Sequence, residues 1–250
     1  MDTHKDSALK IITLNIEGDN HLDKVIDFLQ KEHPDVICLQ EVLEKDINRL
    51  KINLDMDGIY VPFKYIDKPN NARLTPGNKW GALLLSNLKI NSPFVEYYEG
   101  AQDFLPMHME GEPNVCNRAI LGVKIAKGDT VFQVITTHFT WSREGETSSI
   151  QLSSLDNMLK LLNSKTDFIL CGDFNAPRGK EIWEKLAHLY TDNVPSETTS
   201  TVDPNLHRVK NIMYVVDGMF STKAYSVRNV SVIEGVSDHK AIVATVEKKD

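Results

Sequence analysis

Cysteine is scarce in this sequence, with three residues in a chain of 250. Cys38, Cys116 and Cys171 form no Cys-x-x-Cys unit, and an odd number leaves one of them without a partner. This pattern argues against a disulfide framework and against a zinc site built from thiolates. We therefore expect buried free thiols in a protein from a reducing compartment.

Positive charge is also in short supply. The chain has 28 lysines and arginines against 35 aspartates and glutamates, which gives a formal net charge of -7. This balance argues against a protein that coats duplex DNA with a broad basic face. Nucleic acid is not excluded as a substrate, because a site that holds a divalent cation supplies its own positive charge.

Long hydrophobic runs are absent from the sequence. No segment approaches the roughly 18 consecutive apolar residues of a membrane span. Residues 1–7 are mostly polar, unlike the apolar core of a signal peptide. We expect a cytoplasmic, monomeric protein with no membrane span.

The composition is that of an ordinary globular protein, with 41% hydrophobic and 25% charged residues. The length suits either one large layered domain or two small ones. No internal repeat, low-complexity tract or linker interrupts the chain, so we expect a single domain over residues 1–250.

Apolar patterns divide the chain into many strands and few helices. They predict strands over residues 9–14, 36–39, 59–66, 82–90, 120–125, 131–136, 168–170, 212–220, 225–233 and 241–246. Helical spacing of apolar residues predicts helices over residues 22–29 and 152–162. Loops are predicted over residues 67–79, 100–113 and 191–210, and the first two could overhang a site. Helices between strands in two parts of an otherwise strand-rich chain favour two packed sheets with helices outside.

Polar side chains stand at the ends of these predicted strands. Five strands are followed directly by groups suited to a metal or a phosphate, namely Asn15, Glu41, His138, the Asp173/Asn175 pair and Asp217. Asp238 and His239, in contrast, precede the last strand. If all these groups share one edge, the last strand runs antiparallel to the others, and a mixed sheet is required.

The residue types in this set suit the hydrolysis of a phosphate ester. Magnesium prefers carboxylate oxygens, and Glu41 is the first candidate for a direct ligand. Asp173 could take a proton from water while Asn175 donates to a phosphate oxygen. Asp217 could fix the tautomer of His239, whose ring would then face the phosphate.

Each of these groups also has a plain structural interpretation. Glu41 could form a salt bridge at a strand end, Asp173 and Asn175 could close an Asx-turn, and His138 could be a satisfied strand-end histidine. Arg118 could clamp a phosphate with two hydrogen bonds or pair with a neighbour. Asn15 could hold Asp238 or a phosphate oxygen, or could be a turn residue.

Six short motifs occur in order along the chain and together resemble the signature of a known superfamily. They are Thr13-Leu14-Asn15, Leu39-Gln40-Glu41-Val42, Thr137-His138, Gly172-Asp173-Phe174-Asn175, Val216-Asp217 and Ser237-Asp238-His239. The set is similar to that of the endonuclease/exonuclease/phosphatase superfamily, which has the DNase I-like fold. The resemblance implies a four-layer α/β/β/α sandwich, in which two mixed sheets pack together and helices cover the outer faces. It also implies cleavage of a phosphoester by an activated water, with Mg2+ or Mn2+ as cofactor.

The resemblance assigns expected roles to matching positions of this sequence. The expected metal ligands are Glu41, Asp238 and Asn15. The expected catalytic residues are His138, Asp173, Asn175, Asp217 and His239. The residues expected to contact the substrate are Asn15, Asn175, Arg118 and Trp141, the last two on the evidence of residue type and position alone.

The substrate is left open by these motifs. The segment Asn15-Ile16-Glu17-Gly18 is similar to the tyrosyl-DNA phosphodiesterase branch, and Trp141 could stack on a base or simply pack. The first hypothesis is therefore hydrolysis of single-stranded or end-exposed nucleic acid. The alternatives are a small phosphoester, such as an inositol phosphate or a sphingomyelin-type lipid, and a catalytically silent binding module.

Overall fold

The computed structural model describes residues 7–249, so residues 1–6 of the polar N-terminal stretch lie outside the described part. The twelve strands are β1 (Leu9–Asn15), β2 (Val36–Leu43), β3 (Asp57–Ile66), β4 (Asn78–Ser86), β5 (Ile90–Glu99), β6 (Arg118–Lys127), β7 (Thr130–His138), β8 (Ile169–Asp173), β9 (Thr191–Asp192), β10 (Asp217–Ser221), β11 (Tyr225–Ile233) and β12 (Ala241–Lys248). The four α-helices are α1 (Leu22–Glu32), α2 (Ile47–Leu54), α3 (Ser149–Leu162) and α4 (Glu181–Leu189).

The strands form two six-stranded sheets with related topology. The first has the order β11-β12-β1-β2-β4-β3, and the second has the order β5-β6-β7-β8-β10-β9. Each sheet is mixed and contains one central parallel pair, β1 with β2 in the first and β7 with β8 in the second. The sheets pack face to face, and the helices cover the outer faces. The predicted four-layer α/β/β/α sandwich is confirmed.

Strand β1 shows why the central strands are apolar on both faces. Ile11 packs into the core between the two sheets, whereas Ile12 and Leu14 pack into a second core beneath α1 and α2. Successive side chains of a strand point to opposite faces, so a strand covered on both sides carries apolar residues on both faces. The short continuous apolar runs in the sequence reflect this double burial.

The direction of the last strand agrees with the sequence prediction. β12 runs antiparallel to β1, with Ile242 opposite Thr13. Because β12 runs the opposite way, its beginning lies at the same edge of the sheet as the end of β1. Asp238 and His239, which precede β12, are thereby brought to the edge where Asn15 ends β1.

Two predicted strands differ most from the structure in their bounds, and the predicted loop over residues 191–210 begins with the two-residue strand β9. Residues 82–90 form no single strand, because β4 ends at Ser86 and the chain crosses to the second sheet, where β5 begins. The Ser86 hydroxyl accepts from the Leu88 amide and donates to the Asp35 carbonyl, and so fixes the turn that interrupts the apolar run. Residues 212–216 are irregular, and β10 begins only at Asp217.

Two helices were not predicted from the sequence because they are short, with 8 residues in α2 and 9 in α4. In α2 only Leu50 is buried, and in α4 the buried residues are Ile182, Trp183 and Leu186. The three cysteines are buried and unpaired. None of the helices in residues 7–249 has both the length and the apolar character needed to span a membrane.

Candidate active site

The site lies where the ends of the central strands of both sheets meet. Asn15 ends β1 in the first sheet, and His138 and Asp173 end the parallel strands β7 and β8 in the second. Asp217 begins β10, which runs antiparallel to β8 and places Asp217 directly opposite Asp173. The prediction that Asp217 follows a strand is therefore wrong, although it lies at the expected edge.

A close approach of the backbone holds β8 against β7 next to the site. A Cβ atom on Gly172 would lie 2.1 Å from the carbonyl oxygen of Thr137. Only glycine fits at this position, so the residue before Asp173 is set by packing.

Asp173 is the centre of the cluster. Its Oδ2 atom lies 3.0 Å from Asn15 Nδ2, 3.5 Å from His138 Nε2 and 3.9 Å from His239 Nε2. Its Oδ1 atom accepts from the Asn175 amide at 2.8 Å. Burial, reinforced by the charge of Asp217, raises the pKa of Asp173 to about 6. This carboxylate is thus a stronger base than an exposed aspartate.

His239 is held between two carboxylates. Its Nδ1 atom lies 2.8 Å from Asp217 Oδ2, while its Nε2 atom faces Asp173. Burial lowers the pKa of His239, but the charges of Asp217 and Asp173 raise it further, so the net pKa lies well above the ordinary value. The two carboxylates therefore favour the protonated form of the imidazole. Asp217 is fixed in turn, because its backbone amide donates to Thr201 Oγ1 at 3.0 Å.

Glu41 reaches the site through an irregularity in β2. The strand continues to Leu43, so the expectation that Glu41 lies beyond the strand end is wrong. The pairing of β2 with β4 shifts register between Leu39 and Val42, and Glu41 has a φ of 63°. A bulge of this kind re-aims a side chain at some cost in backbone strain. Here it directs Glu41 Oε1 to within 3.1 Å of Asn15 Nδ2.

Asp238 lies in a region of accumulated negative charge. Burial is the main cause that raises its pKa, to about 7, and the charges of Glu17 and Glu41 add to the effect. Asp217 contributes a further buried oxygen, Oδ1, that has no hydrogen-bond partner within residues 7–249. Excess carboxylate charge and an unpaired buried oxygen are what a hard divalent cation would neutralise. The residues present therefore fit a metal ion.

Of the three expected metal ligands, Asn15 does not direct its side-chain oxygen toward the carboxylates. Asn15 Oδ1 accepts from the Glu17 amide at 3.1 Å, so the amide nitrogen, not the oxygen, faces the carboxylates. A ligand role for Asn15 stays a prediction. Ligand atoms of Asp173, Asp217 and His239 lie within 4.8 Å of one another and form a second acidic grouping.

His138 differs electrostatically from His239. Burial holds its pKa well below the ordinary value, and the positive charges of Arg118, His239 and Lys64 act in the same direction. Its ring lies 5.2 Å from the ring of Trp80, measured between centroids. A neutral His138 beside a cationic His239 gives the site two imidazoles with different protonation states.

Three further predicted residues line the same cavity. Arg118 is buried and donates from Nη1 to the His138 carbonyl at 2.9 Å, which does not match the alternative of an exposed strand arginine. Asn175 donates from Nδ2 to the Phe139 carbonyl at 3.0 Å. Trp141 is 40% exposed, and its backbone is fixed by the side chain of Asn114. Eight of the ten predicted residues border this cavity, all except Asn15 and Asp217, and they are Glu41, Arg118, His138, Trp141, Asp173, Asn175, Asp238 and His239.

The cavity has a volume of about 410 Å³ and includes residues that the sequence analysis missed. The most notable is Lys64, which is buried with its Nζ atom 4.4 Å from the ring centroid of Trp80. Burial lowers the pKa of Lys64. Strand alternation hid this residue, because β3 shifts register between Pro62 and Lys64 and buries Phe63 and Lys64 in succession. The other lining residues that were not predicted as site residues are Glu17, Asn71, Ala72, Leu74, Trp80, His108, Met109, Glu110, Gly111, Pro113, His207 and Arg208, and eight of them lie in the two loops that were predicted to overhang a site.

Comparison with known families agrees with the motifs. Residues 12–239 match the sequence model of the Endonuclease/Exonuclease/phosphatase family. Among curated proteins, none matches this sequence. The family match spans every predicted site residue.

Solved structures of low sequence identity share the fold. An endonuclease/exonuclease/phosphatase from Bacteroides vulgatus is 20% identical with a TM-score of 0.71, and the match covers 97% of this chain and 100% of that one. The human nocturnin catalytic domain with bound sulfate is 17% identical with a TM-score of 0.74, covering 97% and 94% of the two chains. ANGEL2, a 2′,3′-cyclic phosphatase in complex with adenosine-2′,3′-vanadate, is 12% identical with a TM-score of 0.70, covering 96% and 95%.

Proposed function

The chain belongs to the endonuclease/exonuclease/phosphatase family, whose members hydrolyse phosphoesters, and on this basis we propose that it cleaves a phosphoester at the end of a nucleic-acid strand or in a nucleotide. The observation that carries the proposal is the set of contacts around Asp173 Oδ2, which faces an amide and two imidazoles at 3.0 to 3.9 Å. A basic carboxylate between groups that stabilise negative charge is the arrangement that water attack on phosphorus requires.

Glu41 and Asp238 would hold a divalent cation, either Mg2+ or Mn2+. Such an ion polarises a phosphoryl oxygen and neutralises charge that develops on it. Asn15 supports this side of the site, because its Nδ2 atom donates to both Glu41 and Asp173 and bridges the two carboxylates.

Asp173 would accept the proton of the attacking water. Its raised pKa, about 6, leaves it ionised at neutral pH yet more basic than an exposed aspartate. The Asn175 amide fixes Oδ1 and leaves Oδ2 on the side of the two histidines. Water activation is thereby assigned to one oxygen of one carboxylate.

His239 would stabilise the charge of the pentavalent phosphorus or protonate the leaving oxygen. Asp217 holds Nδ1 and keeps the ring charged, so Nε2 carries the proton that is available. Neutral His138 supplies a hydrogen bond without adding charge, while Arg118 and Lys64 add two buried cations to the cavity wall. Buried cations act strongly on phosphate because little solvent screens them.

The size of the cavity supports a terminal phosphate as the substrate group. A volume of about 410 Å³ falls within the usual range for small-ligand pockets, about 300 to 1,000 Å³. A strand end or a nucleotide fits such a space, and exposed Trp141 offers a surface for a base. The adenosine-2′,3′-vanadate bound to ANGEL2 is a ligand of this kind on the same fold.

The same cavity volume also favours a second candidate, a small phosphoester without a base. An inositol phosphate or a sphingomyelin headgroup has a suitable size. The Asn15-Ile16-Glu17-Gly18 segment adds a 5′-tyrosyl strand end to the substrates worth testing. We also propose that residues 1–250 act as one domain, because the apolar core between the two sheets contains residues of both.

A substrate screen tests this proposal. Purified protein with Mg2+ or Mn2+ is incubated with a 5′-tyrosyl oligonucleotide, linear single-stranded DNA, an adenosine cyclic phosphate, an inositol phosphate and sphingomyelin. Products from the first three would support the proposal, and products from the last two alone would replace it with the second candidate. Absence of both hydrolysis and metal binding would favour a silent binding module.

A further inference from the structure

A chain of polar contacts connects three separate segments around the mouth of the catalytic cavity. The segments are the turn after β1, the loop of residues 67–77 and the loop of residues 100–117. A fourth segment, residues 193–216, links the first two. We call this chain of contacts the strap, and its members are Glu17, Arg208, Asn71, Glu110 and His108. All five residues line the cavity.

Arg208 is the central link of the strap. Its Nε atom lies 2.9 Å from Glu17 Oε1, and its Nη1 atom donates to the Asn71 carbonyl at 3.0 Å. One guanidinium group therefore joins the turn after β1 to the 67–77 loop. The fork geometry of arginine suits such a double attachment, which lysine lacks.

The second half of the strap joins the 67–77 loop to the 100–117 loop. Asn71 donates to the Glu110 carboxylate from its backbone amide at 3.2 Å and from Nδ2 at 2.8 Å. Glu110 Oε2 also lies 3.5 Å from His108 Nε2. The backbone of this second loop is anchored to β3, because the His108 amide donates to the Tyr65 carbonyl at 2.7 Å.

We infer that the strap makes the cavity selective for terminal phosphates and that Arg208 is its specificity-determining residue. This inference rests on the proposed function. A continuous strand that carries its scissile phosphate to Asp173 must enter and leave the site, which requires an open groove. Loops held together around the mouth restrict a path through the site, so we expect a strand end or a nucleotide to enter and an internal phosphodiester to be excluded.

The ion pair between Arg208 and Glu17 differs from an ordinary surface ion pair, because one of its two partners is buried. Exposed pairs contribute little because solvent screens them. The Arg208 side chain is 48% exposed, but its partner Glu17 is buried with a side-chain exposure of 5%. Glu17 Oε2 in turn lies 3.2 Å from His21 Nε2, which fixes the carboxylate from the opposite side. The arginine is thus attached to a rigid, buried anchor.

The test compares three substrates across matched variants. They are bis(4-nitrophenyl) phosphate, which is a small diester, a linear single-stranded DNA, and a circular single-stranded DNA of the same sequence, which has no ends. Arg208→Ala and Glu110→Ala each break one half of the strap. Arg228→Ala is the control, because Arg228 is an exposed arginine on β11 that pairs with Glu247 on β12 and lies outside the cavity.

Wild-type protein and Arg228→Ala are expected to hydrolyse the small diester and to leave the circle intact. In Arg208→Ala and Glu110→Ala, the ratio of circle nicking to diester hydrolysis is expected to rise by about tenfold or more, the effect of losing one exclusion contact. A wild-type enzyme that nicks the circle as fast as it degrades linear DNA would overturn the inference. An unchanged ratio in both strap variants would do the same.

Hydrogen exchange gives a second measurement that needs no substrate. Amides in residues 67–77 are expected to exchange faster in Arg208→Ala than in Arg228→Ala, with the core strands unaffected. Equal exchange in the two variants would show that Arg208 does not hold the loop. If wild-type protein hydrolyses neither the small diester nor the linear strand while the loop still loosens in Arg208→Ala, the proposed function fails and the strap itself stands.

Discussion

Nδ1 of His239 lies 2.8 Å from Oδ2 of Asp217, and both side chains are buried. The two residues come from different segments, Asp217 from the start of β10 in the second sheet and His239 from the segment before β12 in the first. Their contact therefore joins the two sheets at the catalytic edge. It also fixes which nitrogen of the imidazole faces the cavity.

Removing either member of this pair should reduce activity without unfolding the protein. We expect His239→Ala to lower kcat by about 10²- to 10⁴-fold, the usual worth of a positioned acid or base. Asp217→Asn should lower kcat less, because the ring remains but loses its charge and orientation. Steady-state kinetics and thermal unfolding measure the two effects, with exposed His188→Ala as the control. Equal kcat values for His239→Ala and His188→Ala would contradict the assignment.

Glu41 should be needed for metal binding in the absence of any substrate. We expect Glu41→Ala to weaken Mn2+ affinity by at least about 10- to 100-fold, a loss that changes around metal sites commonly cause. Calorimetric titration measures the affinity, and the metal-induced rise in melting temperature should shrink in parallel. Glu44→Ala is a suitable control, because Glu44 is exposed and pairs with Lys79. Unaltered Mn2+ binding in Glu41→Ala would remove Glu41 from the metal site.

Lys64 should strengthen substrate binding and lower the stability of the fold. Within the described part of the chain it contacts the face of Trp80 and forms no ion pair with a carboxylate. A buried, unpaired charge is costly, so Lys64→Met should keep or raise the melting temperature. The same change should raise KM by about tenfold, since a charge-assisted bond to phosphate is lost. A lower melting temperature with unchanged KM would indicate a purely structural role.

Lys165, which lies beside β5, provides a control for Lys64→Met. Lys165 also lies over an aromatic ring, that of Phe94, at 4.5 Å, but it pairs with Glu96 and is outside the cavity. Lys165→Met should therefore leave KM unchanged. A rise in KM in both variants would point to a general loss of positive charge.

Asp203 should make stability depend on pH in the acidic range. Its carboxylate accepts from the amides of Gly235, Asn205 and Leu206 at 2.7 to 3.0 Å. Burial raises the pKa of Asp203, but these three donors lower it more, so the net pKa is below the ordinary value. A depressed folded-state pKa means that the stabilisation is present above about pH 4 and is lost as the pH falls through the folded pKa.

The measurement for Asp203 is denaturant unfolding at neutral and acidic pH. At neutral pH, Asp203→Asn should lower the free energy of unfolding by about 1 to 3 kcal/mol, the range for buried hydrogen bonds to a charged group. The difference from wild type should shrink at pH values below the folded pKa. Asp156→Asn, an exposed change on α3, should show no such pH dependence. A constant difference across the pH range would contradict the role of the charge.

The layers and the catalytic edge could be predicted because they depend on local patterns. Doubly buried strands such as β1 read as continuous apolar runs, and polar residues at their ends mark the edge of the sheet. The antiparallel direction of β12 followed from a geometric requirement, namely that Asp238 and His239 reach the same edge as Asn15. The order of the motifs along the chain and the directions of the strands were enough to predict which residues share the site.

Features that arise from irregular backbone could not be predicted in this way. Lys64 turns into the cavity only because β3 shifts register at Pro62, and alternation would have placed it with the outward residues. Glu41 was found from its motif, yet its aim depends on a bulge in β2 that no pattern indicates. Arg208 lies in a polar loop whose contacts depend on the tertiary positions of Glu17 and Asn71.

The most direct test of the account is hydrolysis of bis(4-nitrophenyl) phosphate in water labelled with heavy oxygen, with Mn2+ present, by wild-type protein and by Asp173→Asn. Mass spectrometry of both products locates the label. We expect the label in the phosphate product of the wild-type reaction, and a rate at least about 10²-fold lower for Asp173→Asn. Label in the nitrophenol, or equal rates for the two proteins, would contradict water activation by Asp173.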